Sequence, residues 1–497
     1  MPNLNRRTFV KSVGAGAVAL ASMGVASAAD GRDQFVVTVG GKGARKRLER
    51  SGADVQDSVA DGRVLLVAAA EKSTIQRVSG VKHVESNLGY RAVGPKLQST
   101  EESTDEEYAD IQWDKHADTT GAFQAHDTAT GDGRTVAIID TGIDTAHPDL
   151  RNRVERGRLF RADGASSPDG GPAVDGDTTI DARLPPSGEE IESYTYLGAP
   201  AIRSQMAADD VHSHGSHCAG IATAKHDDTS AGEDFGIVGM APDADVVPLR
   251  VFYWKRLDDY QYDTDGDGED ESVTVTTLWT TDFDILSAID YAGTIGADAA
   301  NMSLGGGVIK GSAHKDGEHV GYQKVIQSAV QRGTVVTTSA GNASSDLQHE
   351  GYYTLPNSVP GSISVSATGP NNERVFYSNY GTSDIDVGAP GGGYETLEKT
   401  LASDTEWPYP LNLVYSTVPP DLNDGTAYAW YAGTSMAAPQ VAGLVALVRE
   451  VNPDLNAKQV QSIIENTARY SNGKGDADTG AGIIYAPDAV EEADHRK

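Results

Sequence analysis

Ser435 stands behind Gly433-Thr434 and opens an apolar run, residues 441–448, that reads as a buried helix. A serine in a first helical turn can cap the helix by accepting from a free backbone N–H. It can also be a nucleophile, because the neighbouring N–H groups and the helix dipole favour developing negative charge. That second use needs a base, a group that orients the base, and an oxyanion donor. Asp140 ends the apolar run Thr135-Val136-Ala137-Ile138-Ile139, the pattern of a parallel strand buried on both faces. It falls at the strand's carboxyl end, where open α/β sheets place their sites. An aspartate there is also a common turn or cap residue. His214 lies in His212-Ser213-His214-Gly215-Ser216-His217-Cys218-Ala219-Gly220, which reads as a helix of small residues suited to close packing. Three histidines in six residues could instead ligate a metal, although they lack the H-E-x-x-H arrangement and no cysteine cluster accompanies them.

Two further strand-to-glycine junctions lie between the histidines and the serine. Asp298-Ala299-Ala300-Asn301-Met302-Ser303 leads into Leu304-Gly305-Gly306, and Val335-Val336-Thr337-Thr338-Ser339-Ala340 leads into Gly341-Asn342. Glycines at strand ends permit close approach of a ligand backbone. Asn342 could cap a turn or donate its amide N–H to an oxyanion.

Asp140-Thr141-Gly142, His214-Gly215-Ser216-His217 and Gly433-Thr434-Ser435-Met436-Ala437-Ala438-Pro439 resemble the three signatures of the subtilisin-like serine proteases, peptidase family S8. The order Asp, His, Ser along the chain is that of subtilisin. The acidic composition and export signal described below make the chain similar to secreted, halolysin-like members from saline habitats. The resemblance covers residues 111–490. It implies a parallel-sheet, three-layer α/β catalytic domain that hydrolyses peptide bonds through an acyl-enzyme. Ser435 would attack, His214 would move the proton, and Asp140 would hold the imidazole. Asn342 and the Ser435 N–H would form the oxyanion hole. Ser303, Leu304, Gly305 and Gly306, with Ser339, Ala340 and Gly341, match the substrate-binding segments. Cys218, four residues after His214, matches a thiol that the proteinase K branch places under the catalytic histidine, which implies inactivation by mercurials. Asp149, in His147-Pro148-Asp149-Leu150, matches a calcium carboxylate of the family, with Asp227 and Asp228 as candidate partners from a longer, more acidic loop. No acid appears around Tyr353-Thr354-Leu355-Pro356, the expected base of the pocket for the residue before the cut bond. Apolar or broad preference is therefore expected over basic preference.

The elements that must position these residues belong to a chain of 497 residues, long enough for a large catalytic domain with smaller pieces. Forty basic against 72 acidic residues give a net charge of −32. That charge repels nucleic acid. The acids are scattered, as on the acidic, solvated surfaces of proteins from salt-loving organisms; an ordinary acidic secreted protein is the plainer alternative. The single cysteine excludes an intramolecular disulfide. Residues 1–28 read as a twin-arginine export signal: Arg6-Arg7, a weakly apolar stretch over 13–25, then Ala26-Ser27-Ala28. The stretch is too short and too rich in Ala and Gly for an anchor. A secreted extracellular protein with no stable membrane insertion is expected. Residues 30–95 carry a β-α-β-β-α-β pattern, ferredoxin-like, which resembles the family's inhibitory, folding-assisting propeptide. Residues 96–110 hold an acidic linker, an expected maturation site.

Three stretches, 163–210, 254–282 and 394–430, exceed the small members of the family and read as surface loops around the cleft. Within the second, Asp263, Asp265 and Asp267 match D-x-[DN]-x-[DN]-G, the first half of an EF-hand-type calcium loop. The twelfth position is Thr274 instead of Glu, so Glu269, Asp270 or Glu271 would have to substitute; a solvated acidic loop is the alternative. With Gly480-Ala481-Gly482 read as the closing segment, no further carboxyl-terminal domain is expected. The expected partners are protein or peptide substrates and the chain's own propeptide, with the enzyme a monomer and Ca2+ its only cofactor. Two other classes compete: an inactive relative acting as a binding or chaperone protein, and a calcium- or zinc-binding structural protein. The intact Asp140, His214, Asn342 and Ser435 speak against the first. The second leaves Ser435 and the glycine junctions unexplained.

Overall fold

The structure is a computed structural model that describes residues 18–28, 30–41, 43–93, 98–99, 111–161, 173–225, 236–265, 267–306, 309–310, 320–349, 352–402, 412–470 and 475–497. Its centre is an eight-stranded sheet. From one edge the strands are Ala173–Asp175, Arg158–Phe160, Asp245–Arg250, Thr135–Asp140, Ala299–Met302, Val335–Ser339, Ser362–Thr368 and Val387–Pro390. All pairs are parallel except the first. A parallel sheet is covered on both faces, so its strands are apolar in nearly every position. Alternation along Thr135–Asp140 sorts the core accordingly. Val136 and Ile138 join one cluster with the helices His214–Thr223 and Thr434–Val451; Ala137 and Ile139 join a second with the helices Asp282–Ile295 and Val320–Gln331. The result is three layers. Residues 434–449 of the serine helix are all buried, which accounts for the small or apolar side chains at every position but Gln440 and Arg449.

A second sheet is built from Asp33–Val39, Asp54–Val59, Val64–Ala69 and Val81–Ser86. The strand from 81 to 86 lies at one edge beside Asp33–Val39, followed by Val64–Ala69 and Asp54–Val59, every pair antiparallel. Its two faces are used differently. Phe35, Val37, Leu65, Val67 and Val84 pack with Leu48 and Ile75 of its own helices. Val36, Val59, Val64 and Leu66 belong to the same cluster as the helices Asp282–Ile295 and Val320–Gln331. The small unit thus sits on the outer face of the larger one.

The insertions contain more regular structure than surface loops. Thr179–Leu184 pairs with Ala201–Met206, and Tyr253–Tyr262 pairs with Glu271–Thr281 in a long hairpin. Val414–Thr417 pairs with Tyr428–Tyr431 and leads directly to the serine helix. Gly, Pro and Asp at the flanks dominate the composition of these stretches and hide short strands such as Thr179-Ile180-Asp181-Ala182, whose alternate residues Ile180 and Ala182 are buried. Residues 18–25, within the expected export signal, form a strand between Leu88–Val93 and Leu304–Gly306. Among the described residues no helix is long and apolar enough to cross a membrane.

Candidate active site

Asp140 closes its strand with no exposure, and His214 is the first residue of its helix. His214 Nδ1 lies 2.8 and 2.9 Å from the two Asp140 carboxylate oxygens. Asp140 Oδ1 also accepts from Thr141 N at 2.8 Å. The contact requires the helix start to meet the strand end at backbone distance. A Cβ on Gly215 would fall 2.1 Å from the Gly142 carbonyl oxygen, so glycine is needed there. Burial opposes a charge on His214, yet the adjoining Asp140 carboxylate holds its pKa well above the ordinary value. Its Nε2 is buried and has no hydrogen-bond partner.

Ser435 is the second residue of its helix, so its N–H is one of the first-turn donors without an intrahelical acceptor. Its hydroxyl donates to the Ser303 carbonyl at 3.0 Å and is not hydrogen-bonded to His214. Pro439, four residues on, has no N–H with which to bond the Ser435 carbonyl. That carbonyl accepts instead from Ser303 Oγ at 2.7 Å and from Cys218 Sγ at 3.4 Å. The Ser435 backbone is therefore tied to the start of the strand Leu304–Gly306 and to the histidine helix. Cys218 Sγ is also 3.9 Å from His214 Nδ1, and burial pushes its thiol pKa up.

Asn342 completes the group. Its Oδ1 accepts from Thr434 N at 3.0 Å and Thr434 Oγ1 at 2.8 Å. A backbone N–H can only donate, so the amide orientation is set, and Nδ2 remains buried without a partner. Gly341 N donates to Thr434 Oγ1 at 3.1 Å, which places the Ser339-Ala340-Gly341 segment beside the start of the serine helix. Leu304, Gly305 and Gly306 form a strand of their own, and Leu355 lies opposite, its carbonyl oxygen 4.0 Å from a Cβ built on Gly305.

Two positioning residues are not evident from the sequence. Asp210 is 2 % exposed. It accepts from Thr141 Oγ1, from the N–H groups of His212, Ser213 and Ser216, and from Ser216 Oγ. Thr141 Oγ1 in turn accepts from Gly215 N. Asp210 so joins the aspartate turn to the start of the histidine helix; an aspartate shortly before a run of small residues is the available signal. Asn379 donates to the Ala340 carbonyl and accepts from Ala343 N and Ser345 N, which shapes the loop after Asn342. Nothing in its local sequence marks it.

The other histidines are engaged elsewhere. His217 bonds the Ala429 carbonyl at 3.0 Å and stacks on Tyr431, and burial pushes its pKa down to about 3. His212 packs edge-on against Tyr194. Of the expected cation ligands, Asp149 is buried and accepts from Ile237 N and Tyr428 OH, each at 2.9 Å. It belongs to no carboxylate cluster among the described residues. Asp227 and Asp228 lie outside the described residues. Asp263, Asp265 and Asp267 do converge, joined by Glu271, with one ligand oxygen of each within 4.8 Å of the others. They sit on the turn of the long hairpin, and four hard oxygen donors fit a calcium ion.

The sequence model of the Subtilase family (Peptidase_S8) matches residues 131–483, and the chain belongs to that family. It is 34% identical over 384 residues to an extracellular protease of Xanthomonas campestris pv. campestris, covering 74% of this chain and 53% of that one. It is 30% identical over 355 residues to thermitase of Thermoactinomyces vulgaris, covering 71% of this chain and 88% of that one. A solved protease structure from Pseudoalteromonas arctica superposes with a TM-score of 0.53 at 28% identity, covering 79% of this chain and all of the other. The chain spans about half the length of the Xanthomonas protein. Asp140, His214 and Ser435 thus stand on a subtilisin-like α/β fold of a serine protease family.

Proposed function

We propose that this chain is a serine endopeptidase that works through Asp140, His214 and Ser435. The observation that carries the reading is a pair of unpartnered buried nitrogens, His214 Nε2 and Asn342 Nδ2, in a group that Cys218 and Thr434 tie to Ser435. One is where a base must be, the other where an oxyanion must be met. In this reading the Ser435 hydroxyl turns from Ser303 toward His214 Nε2, which takes its proton as the oxygen attacks the scissile carbonyl. Asp140 holds the proton on Nδ1 and stabilises the imidazolium. Asn342 Nδ2 and Ser435 N–H receive the oxyanion. The imidazolium then protonates the leaving amine, and water removes the acyl group by the same route. Replacing Ser435 by Ala should abolish hydrolysis of a denatured protein substrate. Retained hydrolysis by the purified variant sinks the assignment.

Residues 30–95 act, in this reading, as a ferredoxin-like inhibitory prosegment removed by self-cleavage within 96–110. Leu88–Val93 joins the sheet that leads to Leu304–Gly306, and Gln98–Ser99 pairs with Trp430 and Tyr431 just before the serine helix. The chain leaving the small unit is therefore found on both sides of the site. Self-cleavage predicts that the Ser435→Ala chain stays full length while the parent shortens. Residues 1–28 direct twin-arginine export, and the mature enzyme works outside the cell at high salt as a monomer, its surface acidic like the chain as a whole, whose net charge is −32. Activity and thermal midpoint that fail to rise in molar KCl count against the salt reading. A calcium ion at Asp263, Asp265, Asp267 and Glu271 would neutralise the hairpin turn; subtilases generally bind structural calcium.

A further inference from the structure

The cleft lies between two strands that do not pair with each other. Glu271–Thr281 pairs antiparallel with Leu88–Val93, with Trp279 opposite Arg91, Thr280 opposite Tyr90 and Thr281 opposite Gly89. Leu88–Val93 is antiparallel to Val18–Val25, which in turn runs parallel to Leu304–Gly306. Two strands thus fill the gap, and the one that borders Glu271–Thr281 runs antiparallel to it. Once the chain's own strands leave, an extended substrate can add to that edge in the same direction through main-chain hydrogen bonds. What a substrate meets there is shown by what the prosegment meets now.

It meets an indole. A Cβ on Gly89 would lie 2.0 Å from Trp279 Cζ2, 2.8 Å from Cη2 and 2.9 Å from Cε2. Gly89 is not in the left-handed region of backbone space. Any residue could adopt its conformation, and the indole alone forbids a side chain. The ring has little room to yield. With the prosegment in place Trp279 is 5 % exposed, and on the side away from the prosegment its strand is paired with Tyr253–Tyr262, whose Lys255 ammonium sits 3.9 Å from the ring centroid.

We propose that Trp279 is a specificity-determining residue that holds the cleft to glycine at the substrate position pairing with Thr281, on the amino-terminal side of the cut bond. The inference rests on the reading that residues 30–95 are removed on maturation. Side-chain-bearing residues at that position must push the indole off the Lys255 contact or lift the substrate strand from its edge. Overpacking of this kind corresponds to a roughly tenfold or larger loss in kcat/KM.

The test has two arms. The matured parent and a matured Trp279→Gly variant are each given a denatured protein mixture, and the cut sites are read by mass spectrometry. The parent should show glycine enriched at one position several residues before the cut, and the variant should lose that enrichment alone. In the second arm, Gly89→Ala is placed in the full Ser435→Ala chain. Its thermal midpoint should fall, and Gly89→Ala should cost nothing when Trp279→Gly is present in the same chain. Identical cut-site profiles, or a Gly89→Ala cost that survives Trp279→Gly, overturn the proposal. Mass analysis of the parent separates the two failures. A chain that keeps residues 30–95 overturns the maturation reading, whereas one that loses them yet cuts like the variant overturns the role of Trp279 alone.

Discussion

Asp140 and Asp210 beside the histidine helix, and Glu85 and Asp282 at the seam with the small unit, are all withdrawn from water, to 8 % exposure or less. Their surroundings differ. Asp140 has an imidazole on both oxygens, and Asp210 is met by three backbone N–H groups and two hydroxyls. At the seam, Glu85 accepts from Gly321 N at the start of a helix, and Asp282 accepts from Leu88 N, Tyr90 OH and Tyr322 OH. Lys72 is the cation whose charge reaches Glu85, and its pull is weak beside the cost of burial. Burial, reinforced by the Asp282 charge, pushes the Glu85 pKa up to about 8. One pair is built into a single domain and holds His214 and the start of its helix in place. The other joins two units with a bond whose strength depends on a proton.

The largest effect expected on the reaction side comes from Asp140→Asn. It leaves the shape but favours the wrong imidazole tautomer, and kcat should fall roughly ten-thousandfold. The same substitution removes the carboxylate that raises the His214 pKa. In the parent, the base must lose its proton to act, so activity should climb with pH through a limb well above 6.5. In the variant that limb should move to lower pH. An unmoved limb would mean that another group controls it. Asn342→Ala should come next, with a loss of about a hundredfold to a thousandfold in kcat and little change in KM.

At the seam the expected change is in docking, on the order of a few kcal/mol. Glu85 free in water titrates near 4.5 and docked near 8. The docked state therefore has its full stability below pH 4.5 and loses it progressively as pH rises through 8. In the full Ser435→Ala chain, limited proteolysis of residues 33–93 should accelerate from about pH 5 to about pH 9, and Glu85→Gln should flatten that dependence. Lys72 lies on the same unit as Glu85, and Tyr90 and Tyr322 face it beside Asp282. An unchanged slope in Glu85→Gln would transfer the dependence to one of these groups.

The two regions also differ in how much of them the sequence discloses. Asp140, His214, Asn342 and Ser435 each follow a strand or start a helix whose pattern is local, so apolar runs and glycine junctions reveal them. The same holds for the strands between 33 and 86, where alternation separates the two buried faces. Asn379 acts on backbone groups brought near only by folding, and although Asp210 meets N–H groups a few residues on, its link to Thr141 across 69 positions is visible only in the fold. The charge of Asp282 acts on Glu85 from almost two hundred positions along the chain. Gly89 looks like any turn glycine until Trp279 is placed above it. The strands within 163–210, 254–282 and 394–430 are hidden by the Gly, Pro and Asp around them.

The smallest effect sharpens the contrast, because it concerns acids on an exposed turn rather than in a core. Asp263, Asp265, Asp267 and Glu271 bring one oxygen each within 4.8 Å of the others. Several of their bonds are to the turn's own N–H groups: Gly268 N on Asp263, Asp267 N on Asp265 and Thr264 N on Glu271. Those bonds shape the turn but leave its negative charges facing one another, and a divalent cation would relieve that. Because the turn lies at the end of a hairpin, away from both large cores, the loss of such an ion should cost the global fold about 1 kcal/mol or less. The response should instead be local. Chelation should speed amide exchange in 263–271 and leave kcat on a small peptide unchanged, and Glu271→Gln should already exchange fast with or without calcium. Molar KCl screens exposed charges and should shrink the difference. If chelation lowers activity while exchange at the turn stays constant, the ion that matters binds elsewhere, and the carboxylates of this turn are only a solvated surface.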